Sequence, residues 1–403
     1  MRVLYVCADA GIPLDGTKGA SVHVRQTLAA LAESGVEVSV LAARPGAPGM
    51  LSCRVLPAGL PAAKLRMAPK GQLSSDAAAL LQALDLESRV PLSPADVDLI
   101  YERFSLWSLT GALLAERFAV PWVLEVNSPL VEEASRYRRI ALAGIAAEIE
   151  RFAIASADRV LCVSSVLCDR AARLRGNGEG VHLFPNSVDT DRFGGDGASA
   201  RRKTAAGTET VVIFTGSFKP WHGVQDLLEA FAVSLVGENR SRLMLVGDGP
   251  ERARLEQRAA QLNIASKVTF TGAVGHDEVP GLLSGADIAV APYAPAGDFY
   301  FSPMKVGEYL ASGLPVVATD CGDLDPVLRD GEAALRVPPG DVPALAKALR
   351  RLADDAELRH RLGRAGRRVA VERLSQRAAT GELLRILEEA RQAGPGRRQR
   401  AAP

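Results

Sequence analysis

Short apolar runs alternate with amphipathic stretches along this chain. Residues 2–7 (RVLYVC) form the first run, a Gly-rich loop follows, and a helical pattern runs from about Ala20 to Ser34. Gly35 stops that pattern, as glycine does at helix C-termini. EVSVLAAR (37–44) and a short CRVLP segment read as strands, and 72–88 as a helix. DLIYERF (98–104), WVLEV (122–126) and RVLCVS (159–164) read as buried strands with helices between them. Apolar runs of this length separated by helices predict a parallel sheet covered on both faces.

The stretch 194–209 breaks the alternation with Gly, Ser, Ala and charge but no period, and reads as a linker or exposed loop. The alternation then restarts with TVVIFTG, RLMLVGDG, KVTFTG, DIAVAPY and PVVATD, each a strand ending in a turn. Helical patterns fill 224–236, 250–262, 277–285 and 304–312, and residues 341–392 are almost all helical in pattern. The expectation is an α/β protein with two doubly wound, Rossmann-like domains facing across a cleft. The domains expected are 1–190 and 205–375, with a helix at about 376–392 returning to the first and a disordered tail at 393–403.

Composition narrows the functional classes. The chain has 403 residues and a net charge of +1. A dedicated nucleic-acid binder would carry a basic excess, so nucleic acid is not an expected partner. No apolar run is long enough for a membrane span. The start MRVLYVCADAG reads as a first strand rather than a signal peptide. Cys7, Cys53, Cys162, Cys168 and Cys321 are scattered without a CxxC pair, the pattern of free thiols in the cytoplasm.

In open parallel sheets ligands bind beyond the carboxyl ends of the strands, so candidate chemistry belongs to the loops there. After 2–7, Gly16 and Gly19 precede a helix start and would let the backbone approach an anion; an ordinary loop is the other reading. Neither the Walker loop nor the complete dinucleotide fingerprint is present. After 210–215, Gly216, Lys219 and His222 share a loop with Trp221, and Lys219 is a candidate phosphate partner. Further on, Ser302 reads as an N-cap and Pro303 as the first helical residue. Met304 and Lys305 would then set N–H groups and an ammonium at a helix start, with Glu308 one turn on to accept from sugar hydroxyls; a surface Lys–Glu pair is the other reading.

Taken in order, these segments carry a family resemblance. KGASVHV, FPNSVDTDRF, FTGSFKPWHGVQDLLEAF, LMLVGDGPERARLE, VTFTGAVGHDEVPGLLSGADIAVAPY and SPMKVGEYLASGLPVVAT resemble the successive motifs of family 4 glycosyltransferases of the GT-B fold, over about residues 1–385. The resemblance implies retaining, metal-independent transfer of a sugar from a nucleotide-diphosphate-sugar donor to a saccharide or lipid-linked hydroxyl, by a front-face mechanism and without a cofactor. It places the donor on the second domain and the acceptor on the first, with the hinge at about 188–209 and 376–392. Glu308 matches the second acid of the family's E-x7-E pattern, whose role is to hold the donor ribose. The first acid would fall at Tyr300 and is missing. Ser217 stands where the family's phosphate loop has Arg, and His222 where it has Lys. Lys219 and Lys305 are the remaining cations for the diphosphate.

Gly216, Met304, and the backbone around Ala273 and Val274, which would meet the base, complete the implied donor site. On the acceptor side Asn127 stands where many members have His, Glu125 could contact acceptor hydroxyls, and His23, in the helix after the Gly-rich loop, would lie near the acceptor or serve packing alone. An amide hydrogen-bonds a sugar hydroxyl but cannot act as a general base. The D-x-D triplets Asp96–Asp98, Asp189–Asp191 and Asp323–Asp325 read as incidental rather than metal-binding. Arg136, Arg138, Arg139 and the basic stretch 61–70 (PAAKLRMAPK) would suit contact with the anionic inner face of a membrane; a mixed-charge surface is the other reading. The resemblance specifies no oligomeric state. Two further readings share the architecture: a catalytically impaired sugar-nucleotide-binding protein and a nucleotide-sugar 2-epimerase.

Overall fold

The computed structural model describes residues 1–403 except 17–18, 48–52, 57–71, 89, 138–139, 195–208, 236–240, 296–299, 301, 303, 323–327, 329–331 and 397–403. Most of the expected linker, the stretch 61–70, Arg138, Arg139, Pro303, the Asp323–Asp325 triplet and the end of the expected tail lie outside the described residues. The chain forms two compact units, Met1–Pro185 with the chain from Thr380 onward, and Asn186–Ala379.

The first unit holds β1 (Arg2–Cys7), β2 (Glu37–Ala42), β3 (Arg54–Val55), β4 (Leu99–Arg103), β5 (Trp122–Val126), β6 (Arg159–Cys162) and β7 (Val181–Leu183). They lie parallel in the order β3-β2-β1-β4-β5-β6-β7. The second holds β8 (Thr210–Thr215), β9 (Ser241–Val246), β10 (Val268–Gly272), β11 (Ile288–Ala291), β12 (Val316–Thr319) and β13 (Ala334–Val337), in the order β10-β9-β8-β11-β12-β13. Both orders run outward from the first strand and then reverse, the doubly wound pattern expected from the alternation. The reversal falls between β1 and β4 in one sheet and between β8 and β11 in the other. Loops diverge there, which opens a crevice at the carboxyl ends. The central strands are buried on both faces, so they read as mostly apolar runs, with Glu102, Arg103 and Glu125 as the charged exceptions.

Two strands were not legible in the sequence. β7 is three residues with an exposed Leu183, and β13 (ALRV) is short and free of β-branching until its last residue. The long helical stretch is divided: helices Val342–Asp354 and Ala356–Val369, a π-helical turn Ala370–Leu374, and helix Gln376–Ala393. Asp341 and Asp355 cap the first two, accepting from the N–H groups of Ala344 and Leu358 at 2.8 Å each. The chain leaves the first unit after Pro185 rather than at 190. Val188 is tied into the second unit, donating to Leu374 O (2.8 Å) and accepting from Gln376 N (3.0 Å), with its side chain in the core that also holds Ile213 and Tyr309.

Alternation along β4 sends Glu102 and Arg103 to opposite faces. Glu102 is buried and accepts from Ser108 Oγ (2.6 Å) and from Gly111 N–H (3.1 Å), at the start of helix Thr110–Phe118. A Cβ on Gly111 would stand 2.0 Å from Glu102 Oε2, so only glycine lets the carboxyl reach that helix start. Burial pushes the Glu102 carboxyl up to about 7, against the hydrogen bonds from Ser108 and Gly111 that lower it. The unfolded chain loses this proton near the ordinary glutamate value while the folded chain keeps it. Between those values the folded state binds more protons, so stability falls as pH rises. The expected outcome in urea titrations is a loss of about 3 kcal/mol from this group between pH 4.5 and 7, with that slope absent in Glu102→Gln.

Candidate active site

In the second unit, helix Met304–Ala311 packs its buried face on the end of β8. Tyr309 OH accepts from Thr215 N–H at 2.7 Å and from Thr215 Oγ1 at 3.1 Å. Lys305 lies one turn earlier on that face, as i, i+4 spacing requires. Its stem is half-buried, but Nζ is buried and carries no hydrogen bond among the described residues. Nζ lies 4.1 Å from the Phe214 ring centroid and 5.3 Å from that of Tyr293. Aromatic faces attract a cation but accept no conventional hydrogen bond. Phe214 is the last residue but one of β8 and Tyr293 follows β11, so the ammonium sits at the point where the strand order reverses.

Gly216 is the residue that lets it sit there. Its φ of +133° is one that side-chain-bearing residues rarely adopt, and a Cβ would lie 2.8 Å from Lys305 Nζ. Burial pushes the Lys305 ammonium down to about 7, with Glu308 opposing the shift. Backbone bonds hold the neighbouring loops: Gly216 N–H donates to Val246 O, Phe218 N–H to Asp248 O and Gly247 N–H to Gly272 O.

Lys219 begins the 3-10 turn Pro220–His222, with Nζ 5.7 Å from the Trp221 ring centroid. His222 differs from the expectation. Its Nδ1 is hydrogen-bonded to the Ser217 carbonyl, and burial and the charge of Lys305 push its pKa down to about 3. A carbonyl only accepts, so the proton sits on Nδ1 and Nε2 carries a lone pair. His222 brings no positive charge to this site.

Ser302 also corrects the expectation. The helix starts at Met304, and the Ser302 hydroxyl accepts from Asn186 N–H (2.9 Å) instead of capping. Asn186 Nδ2 donates to Ser302 O at 2.9 Å, which ties the FPNSVD segment to SPMK. Glu308 is buried on the same helix. His276 Nε2 meets its Oε1 at 2.9 Å, a pairing the sequence did not suggest. Ala273 and Val274 follow β10, exposed and half-buried respectively, two to three residues before that histidine.

The first unit has a different cluster at its own reversal point. Glu125, on β5, is fully buried. Its Oε1 meets His23 Nε2 at 2.9 Å, Arg103 Nη1 at 2.9 Å and Asn127 Nδ2 at 2.6 Å. Tyr101 OH donates to Oε2. Burial works to raise the Glu125 pKa, but the charges of His23 and Arg103 and the hydrogen bonds of His23 and Tyr101 win, and the carboxyl lies well below the glutamate range. Direct contact of Glu125 with an acceptor, as expected from the sequence, does not fit a side chain this buried and this occupied. It holds Asn127 and His23 instead. Tyr101 and Arg103 are members that the sequence reading missed; the signal was a polar pair inside the strand-like YERF.

Gly16 plays a packing role. A Cβ there would stand 2.5 Å from Ser21 Oγ, and its carbonyl accepts from Arg25 Nη1 at 2.6 Å. Gly19 is the first residue of helix Gly19–Glu33. Of the D-x-D triplets, Asp98 pairs with Arg2, Asp96 accepts from Ser93 and Asp189 caps a short helix at Arg192 N–H. Among the described residues no three His, Cys, Asp or Glu side chains gather as a metal site would need. Nor is any helix among them long and apolar enough to cross a membrane.

Two Rossmann-like units, each with its polar cluster at the strand-order reversal, make up the GT-B fold. Sucrose-phosphate synthase of Thermosynechococcus elongatus has this fold, with a TM-score of 0.75 and 22% identity over 98% of this chain and 100% of that one. HepE of Anabaena, solved in complex with UDP-glucose, gives 0.70 and 19% over 96% and 100%. Residues 17–192 match the family model described as Glycosyltransferase Family 4, and residues 209–355 the one described as Glycosyl transferases group 1. The chain belongs to the family 4 glycosyltransferases. D-inositol 3-phosphate glycosyltransferase of Saccharomonospora viridis is 29% identical over 93% of this chain and 90% of its own.

The unpaired ammonium makes a prediction about stability. The unfolded chain keeps the Lys305 proton up to the ordinary lysine value, whereas the folded chain sheds it above about 7. The folded state therefore carries a penalty that is full below pH 7 and fades as pH rises from there toward the ordinary lysine value. Lys305→Met should raise Tm by a few degrees at pH 6 and by less at pH 9, read by calorimetry.

Proposed function

We propose that the second unit binds a nucleotide-diphosphate sugar and that the enzyme transfers the sugar with retention, without a metal, to a hydroxyl of a saccharide or lipid-linked acceptor. The observation that carries this reading is the buried Lys305 ammonium with no hydrogen-bond partner, held under Gly216 at the reversal point. A diphosphate would supply the missing acceptors. Lys219 and the N–H groups at the start of helix Met304–Ala311 add to the positive field there. In this reading Glu308 takes the ribose hydroxyls and the backbone at Ala273 and Val274 meets the base.

Retention draws its support from the first unit. An inverting transfer needs a carboxylate or imidazole free to take the acceptor proton. Glu125 has its oxygens occupied, His23 is bonded to it, and Asn127 cannot act as a base. The departing phosphate is then the base. The bond from the anomeric carbon to the phosphate oxygen breaks and the acceptor oxygen bonds to the same face. The acceptor proton passes to that phosphate oxygen, while Lys305 and Lys219 stabilise its charge. The D-inositol 3-phosphate relative has a small hydroxylated acceptor in its name, which is in keeping with transfer to a sugar-like hydroxyl. A binding protein without activity and a 2-epimerase are not favoured, since the curated relative is named as a transferase.

Incubation with a panel of nucleotide sugars and saccharide acceptors, followed by release of nucleoside diphosphate, tests the reading. Glu308→Ala and Lys305→Ala should each lower kcat/KM by roughly 100-fold or more. Intact turnover in Glu308→Ala and Lys219→Ala together would show that the site is misassigned. A diphosphate should also restore the Lys305 charge. Above pH 7 the free protein has shed that proton and the complex regains it, so affinity falls as pH rises. Titration calorimetry at pH 8 in buffers of different ionisation enthalpy should find uptake of about one proton per UDP or GDP bound, and none in Lys305→Met.

A further inference from the structure

We infer that His276 is a positioning residue for the donor: it locks the Glu308 carboxyl so that the second oxygen alone is offered to the ribose hydroxyls. This rests on the donor-site reading above. The pairing at 2.9 Å uses Nε2 of the imidazole and Oε1 of the carboxyl. Glu308 makes no other side-chain hydrogen bond among the described residues. Oε2 is therefore the oxygen left to bond a ligand. A lone carboxyl at that position could rotate about its last torsion, which is broad for glutamate. A donor fixed on one oxygen removes that freedom before the ligand arrives.

The histidine is itself held from three sides. Gly275 N–H donates to Glu278 Oε1 (2.8 Å), and Glu278 N–H donates to Gly275 O (2.9 Å), which closes the loop on either side of His276. The Phe193 ring meets the imidazole edge-on, with centroids 5.8 Å apart. Next along the chain, Asp277 pairs with Arg192, the residue before Phe193. These contacts hold the loop around the imidazole, and the Phe193 ring meets the imidazole itself. This loop also carries Ala273 and Val274, so one short segment would present the backbone to the base and aim the acid at the ribose.

The test is binding of UDP and GDP by calorimetry, each beside its 2′,3′-dideoxy counterpart, to the wild type, His276→Leu and His276→Gln. A glutamine amide reaches far enough to donate in the same place. His276→Leu should weaken the ribonucleotide that binds best by about 5–10-fold, and His276→Gln by no more than about 2-fold. For the dideoxy nucleotide the three proteins should agree within about 2-fold, because the hydroxyls that Glu308 serves are gone. Equal loss with the dideoxy nucleotide would mean that His276 acts on loop folding alone, and would overturn the inference. So would unchanged ribonucleotide binding in His276→Leu. If the wild type binds neither ribonucleotide, the donor-site reading falls and this inference with it.

Discussion

A cation buried against two aromatic faces and given no oxygen partner governs the second unit. Everything around Lys305 serves to keep it there. The Tyr309 hydroxyl anchors its helix to the end of β8, and the sharp turn at Gly216 leaves room for the ammonium. Phe214 and Tyr293 supply attraction without competing for the protons. An ordinary core would place a methyl group at such a point. The protein carries the cost because strand order reverses there, and the opening at the carboxyl ends is where an anion can approach.

The first unit meets the same topology with the opposite solution. Its charged group at the reversal point is a carboxylate, and four donors saturate it. Breaking one side of such a buried set leaves an uncompensated charge, which is costly, so the cluster behaves as one rigid piece. The contrast has a chemical meaning. A saturated centre fixes the side chains it bonds, here Asn127 and His23, and reacts with nothing. An unsaturated one is an incomplete set of hydrogen bonds that a ligand finishes. In the proposed reading the pair has one sense: the unsaturated cation meets a diphosphate, and the saturated carboxylate holds the side chains that meet a hydroxyl.

Much of this was legible in the sequence because it rests on local signals. Apolar runs ending in Gly or Pro gave most strands of both sheets, and Gly216, Lys305 and Glu308 stood out by motif and spacing. What the sequence hid depends on side chains that meet from distant segments. His276 and Glu308 are 32 residues apart, and His23 and Glu125 are 102 apart, and no periodicity links them. Ser302 had the chemistry of a cap, but Asn186, 116 residues earlier, claimed its hydroxyl. His222 looked like a cation by type, and burial beside Lys305 made it neutral. β7 and β13 were too short to show a period.

The departures from the family's phosphate loop make sense in these terms. Where the motif has Arg and Lys on the loop, this chain has Ser217 and His222, and the Ser217 carbonyl is bonded to the imidazole. A loop cation is exposed and keeps its proton at any ordinary pH. In the proposed reading the charge comes instead from Lys305, inside, where burial brings its pKa to about 7. The same displacement explains the glycine: a buried ammonium reaches a ligand only if the backbone above it lacks a side chain. It also explains why His222 is tied down as a neutral ring, since a second cation beside Lys305 would deprotonate it further. Serine, glycine and neutral histidine are then one arrangement around one lysine, rather than separate losses from a motif.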